Sequence, residues 1–150
     1  MAIRELRLFE DEALRKKCRE VTEVNDKIRM MLDDMMDTLH NTPNGAALAA
    51  PQVGILKRLV VIDLPEGTYN LVNPEIIEQS GEQLEPEGCL SFPDIWGKVK
   101  RPMYVKIKAL NENGEPIELE GTGLMAKCFS HEIDHLDGIC FVDKIEEYIK

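Results

Sequence analysis

Apolar residues recur at helical spacing over residues 24–40, where Ile28, Met31, Leu32, Met35 and Leu39 share one face. The spacing predicts an N-terminal helix with Asn25 as its N-cap. Four methionines in it (Met30, Met31, Met35, Met36) read as core filling rather than as an adaptable binding surface. Residues 41–54 (NTPNGAALAAPQVG) follow, small and turn-rich, with no clean period. Residues 58–63 (RLVVID) are a β-branched run and predict a buried strand. A shorter strand is expected at 69–72, closed by Asn73-Pro74 and continued at 76–79. Residues 103–110 alternate, with Met103, Val105, Ile107 and Ala109 on one face and Tyr104, Lys106 and Lys108 on the other. Asn111 to Gly114 makes a turn, and 116–120 returns as the second arm of a hairpin. A second helix spans 124–137, with Leu124, Cys128, His131 and His135 along one stripe and Gly138 as its stop. Residues 143–150 are expected to form a turn or two of terminal helix. The fold class that results is α+β: mixed or antiparallel sheets packed around the second helix, plus the N-terminal helix. With no repeat and no linker, the 150 residues read as a single catalytic domain, residues 1–150.

Composition narrows the function classes. A chain of this length buries roughly 68–70% of its unfolded surface and folds without disulfides. The net charge of -10 speaks against binding to nucleic acid or to anionic membranes, although 18 Lys and Arg leave room for a local basic patch. Residues 1–10 are charged and carry no apolar signal-peptide core, and no apolar run reaches the ~20 residues that span a bilayer. Cys18, Cys89, Cys128 and Cys140 fit neither a zinc knuckle nor a disulfide framework. A reducing, cytoplasmic setting follows, with free thiols or thiolate ligands.

The chemistry concentrates at His131-Glu132-Ile133-Asp134-His135, an HExxH motif on the second helix. Residues i and i+4 lie one turn apart, so both imidazoles reach one ion, and Glu132 is placed to take a proton from water activated there. Asp134 and Asp137 are of the type that orients a ligating imidazole; solvated helix charges are the other reading. A catalytic site of this kind needs a third protein ligand. In the extended HExxHxxGxxH pattern Phe141 stands where the third His belongs, and Glu146 and Glu147 follow too closely for a separate ligand helix. The third ligand therefore comes from upstream, from His40 or a cysteine. Cys89 fits best, within Glu87-Gly88-Cys89-Leu90-Ser91, a compact turn where Gly88 lets the backbone approach an ion. Thiolate with two imidazoles suits iron as well as zinc.

These residues carry a resemblance to the peptide deformylases through nearly the whole chain. Three motifs stand in the family's order: GxGxAAxQ as residues 45–52 (GAALAAPQ), EGCLS at 87–91 and HExxHLxG at 131–138. Residues 11–21 (DEALRKKCREV) are also similar to the family's opening. The resemblance implies one divalent metal on Cys89, His131 and His135, Fe(2+) with Zn(2+), Ni(2+) or Co(2+) as alternatives. It implies Glu132 as general base, and Gln52 and the Leu90 backbone N–H as oxyanion donors. The expected substrates are N-formylmethionyl nascent peptides, lying extended along Gly45, Ala46 and Ala47 and beside Glu87 and Gly88. Leu124 and Cys128 would line the methionine pocket with Ala46 and His131, core packing being the other reading of both. Glu87 and Arg101 are expected to pair and hold the Cys89 turn, unless Arg101 is a solvated loop charge. A transient ribosome contact fits such substrates. Ala47 departs from the motif's second glycine: a positive φ there would strain alanine, and a close substrate strand would meet its methyl. Many relatives continue into a long helix past the point where this chain ends at Lys150.

Two other classes compete. A metalloprotease is disfavoured by the ligand spacing. A metal-binding homologue without activity has no use for Glu132 and Gln52.

Overall fold

The computed structural model describes residues 3–149. Eight strands and two α-helices follow one another as α1 (Asp26–His40), β1 (Ala47–Ala49), β2 (Leu59–Leu64), β3 (Gly67–Ser80), β4 (Gln83–Cys89), β5 (Phe92–Arg101), β6 (Tyr104–Leu110), β7 (Pro116–Thr122), α2 (Leu124–Leu136) and β8 (Ile145–Ile149). The strands form a five-stranded sheet, β1-β2-β3-β6-β7, and a three-stranded sheet, β4-β5-β8. Every strand pairing in them is antiparallel. The expected α+β class is the observed one.

The five-stranded sheet is covered on both faces, and this explains the unbroken apolar run of β2. Val60 and Ile62 point to α2, packing with Leu71, Val105, Ile107 and Phe129. Leu59 and Val61 point the other way, to Ile28, Leu32, Met35 and Leu39 of α1. A strand buried on both faces has no polar side to show. In α1 the Asn25 side chain accepts from the Ile28 N–H at 3.1 Å, as the sequence predicts. Met35 is fully buried and Met31 and Met36 pack on the same core, while Met30 faces out.

The hairpin at β6 and β7 pairs Leu110 with Pro116 and puts Val105, Ile107 and Ala109 in the core. Met103 is a correction: it lies before β6 and is exposed. The two short strands expected around Asn73-Pro74 are one long strand, β3, with a register shift between Val72 and Glu75. Asn73 adopts a positive φ of 52°, and its side chain exchanges hydrogen bonds with the Val21 backbone at 2.8 and 2.9 Å. Asparagine tolerates this geometry better than other side-chain-bearing residues.

The sequence reading missed β4 and most of β5, whose Pro86, Gly88, Pro93 and Gly97 hide the alternation. Pro86 is tolerated because β4 is an edge strand. The terminal helix expected at 143–150 is also corrected. Residues Ile145–Ile149 form β8, paired with β5 through Trp96↔Ile149 and Gly97↔Tyr148, and Lys150 lies outside the described residues. An open edge on β5 was a stronger demand than weak local helix propensity. No helix among the described residues is long and apolar enough to cross a membrane.

The helix α2 ends sharply. The Ile139 N–H donates to the Asp134 carbonyl at 3.0 Å and the Gly138 N–H to the His135 carbonyl at 3.1 Å, with Gly138 at φ 77°. This is the Schellman arrangement. A methyl on Gly138 would meet the Arg15 carbonyl oxygen at 2.6 Å. Gly138→Ala should therefore lower unfolding free energy by at least about 1–2 kcal/mol. Asn25→Ala should cost about 1 kcal/mol through its lost cap. Denaturant titrations of the two variants beside the wild type check both.

Candidate metal centre

Three elements bring the ligand candidates together. The buried face of α2 carries His131 and His135, one turn apart, with ring centroids 5.0 Å from each other. The end of β4 carries Cys89, which opens a tight turn at Leu90-Ser91 before β5. Cys89 Sγ lies 3.3 Å from His135 Nε2, and one ligand atom from each of the three residues falls within 4.8 Å of the others. Among the described residues this is the one cluster of this kind. His40, the other upstream candidate, lies elsewhere with Nε2 2.7 Å from Asp63 Oδ2. Cys140 donates to the Leu14 carbonyl in the core, and Cys18 is buried against the five-stranded sheet.

The donor set fits a divalent ion. A thiolate and two imidazoles are ligands of borderline softness. Burial holds His135 well below the ordinary histidine range, so it stays neutral, the form that binds a metal. Glu132 is buried beside the two histidines, and its Oε1 finds no partner among the described residues. Burial pushes its carboxyl up to about 7, past the opposing effect of His131. A carboxyl poised there is suited to proton transfer near neutral pH.

His131 is oriented by Glu87, not by Asp134 or Asp137. Its Nδ1 donates to Glu87 Oε1 at 2.9 Å. The paired Arg101 grips Glu87 through two contacts, Nε to Oε2 at 2.8 Å and Nη2 to Oε1 at 3.0 Å. Burial alone would raise the Glu87 pKa, but the hydrogen bonds from His131 and Arg101 outweigh it and hold the group down at about 2. Arg101 is 3% exposed, so it is no loop charge. Its Nη1 continues to Asp134 at 2.7 Å, which also meets Lys144 at 2.9 Å. Asp137 pairs with Arg58 at 3.0 Å. Phe141, at the position where one protease pattern has its third histidine, stacks on His131 with centroids 5.9 Å apart and planes at 28°.

Gln52 reaches the site from a 3-10 turn, Ala50–Val53, directly after β1. Its Oε1 accepts from the Ala49 N–H at 2.9 Å, which leaves the amide N–H groups facing the site. Nε2 donates to Ser91 Oγ at 3.1 Å and lies 3.5 Å from Cys89 Sγ.

A cleft of about 510 Å³ opens beside these groups. Ala46 and Ala47 border it on one side, and Gly88, Cys89 and Leu90 on the other, with Cys128 and Glu132 reaching it from α2. Leu124 lines it too and is about half exposed, so core packing does not describe it. Cys128 both lines the cleft and belongs to the core, where burial raises its thiol well above the usual range. Gly45 is not on the cleft wall; it packs so closely on Leu39 that a methyl would sit 2.8 Å from Leu39 Cδ1. Ala47 is ordinary extended strand without a positive φ, so the strain considered for it is absent. Sequence reasoning overlooked Ile95, Trp96 and Lys127 on the cleft and the hydroxyl of Ser91 under Gln52. Ser91 stood inside the EGCLS motif, but nothing local showed what its side chain meets. A larger hollow of about 830 Å³, bordered by Cys18, Arg58, Glu75 and Asp137, contains none of Cys89, His131 and His135.

Comparison with known proteins follows the same line. The sequence profile of the polypeptide deformylase family matches residues 3–150. Peptide deformylase 2 of Clostridium acetobutylicum is 64% identical over 150 residues, covering 100% of both chains. A peptide deformylase of Acetivibrio thermocellus is 52% identical, over 99% of this chain and 87% of its own. Among solved structures, peptide deformylase from Thermotoga maritima superposes with a TM-score of 0.93 at 37% identity, covering 97% of this chain and 99% of that one. The Synechococcus elongatus deformylase in complex with actinonin gives 0.91 at 40% identity, over 95% and 79%. With its profile matched almost end to end and its fold shared with solved members, the chain belongs to the peptide deformylase family.

Proposed function

We propose that Glu132, Gln52 and Leu90 carry the hydrolysis by which this deformylase removes the N-formyl group from the methionine of nascent polypeptides, releasing formate. The observation behind this reading is the unpartnered Glu132 oxygen beside Cys89, His131 and His135 on an open cleft. Those three residues would hold one divalent ion, of which Fe(2+) is our choice and Zn(2+), Ni(2+) and Co(2+) suit the same ligands. When bound, such an ion supplies Lewis acidity to the formyl carbonyl and lowers the pKa of water.

The protein's own groups do the rest. Glu132 takes a proton from the attacking water and later delivers it to the leaving amine, so the peptide departs with a free amino terminus. The Gln52 amide and the Leu90 N–H donate to the oxygen of the formyl group as negative charge builds there. Ala49 holds the Gln52 carbonyl end and Ser91 Oγ one of its N–H groups, which turns the other N–H toward Cys89 and the site. The peptide lies extended along β1, an edge strand of the five-stranded sheet. Ala46, Leu124 and Cys128 receive the methionine side chain, and Ala47 narrows the groove by one methyl where the motif has glycine. Substrates of this kind are met at the ribosome, and a transient contact with it belongs to the same reading.

Formate release from a formyl-Met tripeptide by anaerobic Fe(2+)-loaded protein tests the assignment. The wild type should turn over, and Glu132→Ala should lose at least two to four orders of magnitude in kcat. An acetylated peptide should be left intact. Full activity in Glu132→Ala would sink the general-base role. Metal retention gives a second test. Glu87→Gln should weaken metal binding roughly 10–100-fold in a chelator competition, because His131 loses its charged hydrogen-bond partner. Arg101→Ala should lower unfolding free energy by about 3–5 kcal/mol in urea melts, since it leaves the Glu87 carboxylate buried and uncompensated.

A further inference from the structure

The two oxyanion donors proposed above belong to different parts of the fold. Gln52 follows β1 of the five-stranded sheet, and Leu90 lies in the turn of the β4–β5 hairpin. Among the described residues no strand pairing joins the two sheets. Something else must set the distance between them, and a sub-ångström placement matters when both donors address one oxygen.

The segment at residues 4–9 touches both. The Arg7 N–H donates to the Gln52 carbonyl at 2.7 Å, and the Phe9 N–H donates to the Ser91 carbonyl at 2.9 Å. The start of the segment is tied to α1, where the Arg4 N–H donates to Thr38 Oγ1 at 2.8 Å and its guanidinium meets Asp34 at 2.9 Å. Its end is tied to β5, where the Phe9 ring packs edge-on against Phe92 at 6.1 Å. Phe9 sits at φ 50°, a left-handed conformation that a bulky side chain keeps only when its surroundings impose it. Beneath this bridge the fully buried Ser91 hydroxyl accepts from the Gln52 amide. The backbone and side chain of Gln52 are thus both referenced to the hairpin that carries Leu90.

We propose that the N-terminal arm is a clamp that fixes Gln52 and the Leu90 N–H relative to each other, with Phe9 and Ser91 as positioning residues for the hydrolysis. This rests on the assignment of Gln52 and Leu90 as donors. Neither Phe9 nor Ser91 touches the reacting atoms; each acts through a group that does. Loosening the clamp misplaces the donors while His131 and His135 stay held on α2, so the loss falls on turnover rather than on substrate binding.

The test uses the full chain with Phe9→Ala, Ser91→Ala and Gln52→Ala, singly and in pairs, with Phe9→Tyr as the conservative control. Phe9→Ala and Ser91→Ala should each lower kcat roughly tenfold with KM close to wild type. Phe9→Tyr, which keeps the ring on Phe92, should restore kcat. Added to Gln52→Ala, either change should cost little more, because the donor it positions is already gone. Independently of activity, 1H–15N spectra of the protein should show the Gln52 side-chain amide and the Leu90 amide shifting in Phe9→Ala and in Ser91→Ala, while amides of β3 and β6 hold. Losses that add fully to Gln52→Ala, a change confined to KM, or unmoved Gln52 and Leu90 signals would overturn the clamp. If Phe9→Ala fails to fold, Phe9→Leu, which keeps an apolar side chain against Phe92 without the ring, carries the same comparison. Wild-type kcat in Gln52→Ala would remove the donor assignment instead, and the two signals would still decide whether the arm sets their geometry.

Discussion

A buried chain of charge holds the site together: Arg101 grips Glu87, and Glu87 grips His131. All three are nearly inaccessible to water. An isolated carboxylate in such a place would take up a proton; here two donors keep it ionised far below neutral pH. The ionised form is what fixes His131 with Nδ1 as donor and Nε2 turned toward Cys89 and Glu132. The same pair ties β4 to the end of β5 across the hairpin and, through Asp134, ties the hairpin to α2. A buried ion pair adds little net stability over well-packed apolar residues. Its worth here is geometric, since the hairpin brings Cys89 and the helix brings the histidines.

That arrangement separates two tasks. His131, His135 and Glu132 are buried on α2, and Cys89 is half-buried at the end of β4. The groups that would meet the peptide lie at margins: the outer edge of β1, the Leu90-Ser91 turn and the half-exposed Leu124 at the start of α2. A rigid centre with an open border suits an enzyme that must accept many different chains at one fixed chemical group. Phe141 seals one side of His131 with an aromatic face where a third histidine would have made a different metal site.

The sequence alone determined the elements whose burial leaves a one-dimensional trace. Helix α1 follows from its period and Asn25, the β6–β7 hairpin from its alternation and turn, α2 from its stripe and Gly138. HExxH places two imidazoles on one side by helix geometry, with no need of the rest of the chain. The EGCLS motif singled out Cys89, but only its Leu90-Ser91 end is the expected turn; Glu87, Gly88 and Cys89 finish β4. Where the reading failed, the cause was non-local. Strands β4 and β5 are paired and covered from outside, so they tolerate prolines and glycines that erase the alternation. The C-terminal residues became β8 because β5 offered an unpaired edge, a fact absent from residues 145–149 themselves.

Only the tertiary structure decided which polar groups meet. Asp134 and Asp137 sit within a few residues of the ligands, yet Glu87 orients His131 from 44 positions away in the chain. His40 and Cys89 were both upstream candidates, and packing put one beside Asp63 and the other beside His135. Ala47 shows the same division: its identity is read from the sequence, but its unstrained extended backbone is set by pairing with Ile62. Periodicity encodes which side of an element is buried, because each residue's exposure repeats with the element's own geometry. Partner choice has no such period, because it depends on where separate elements dock.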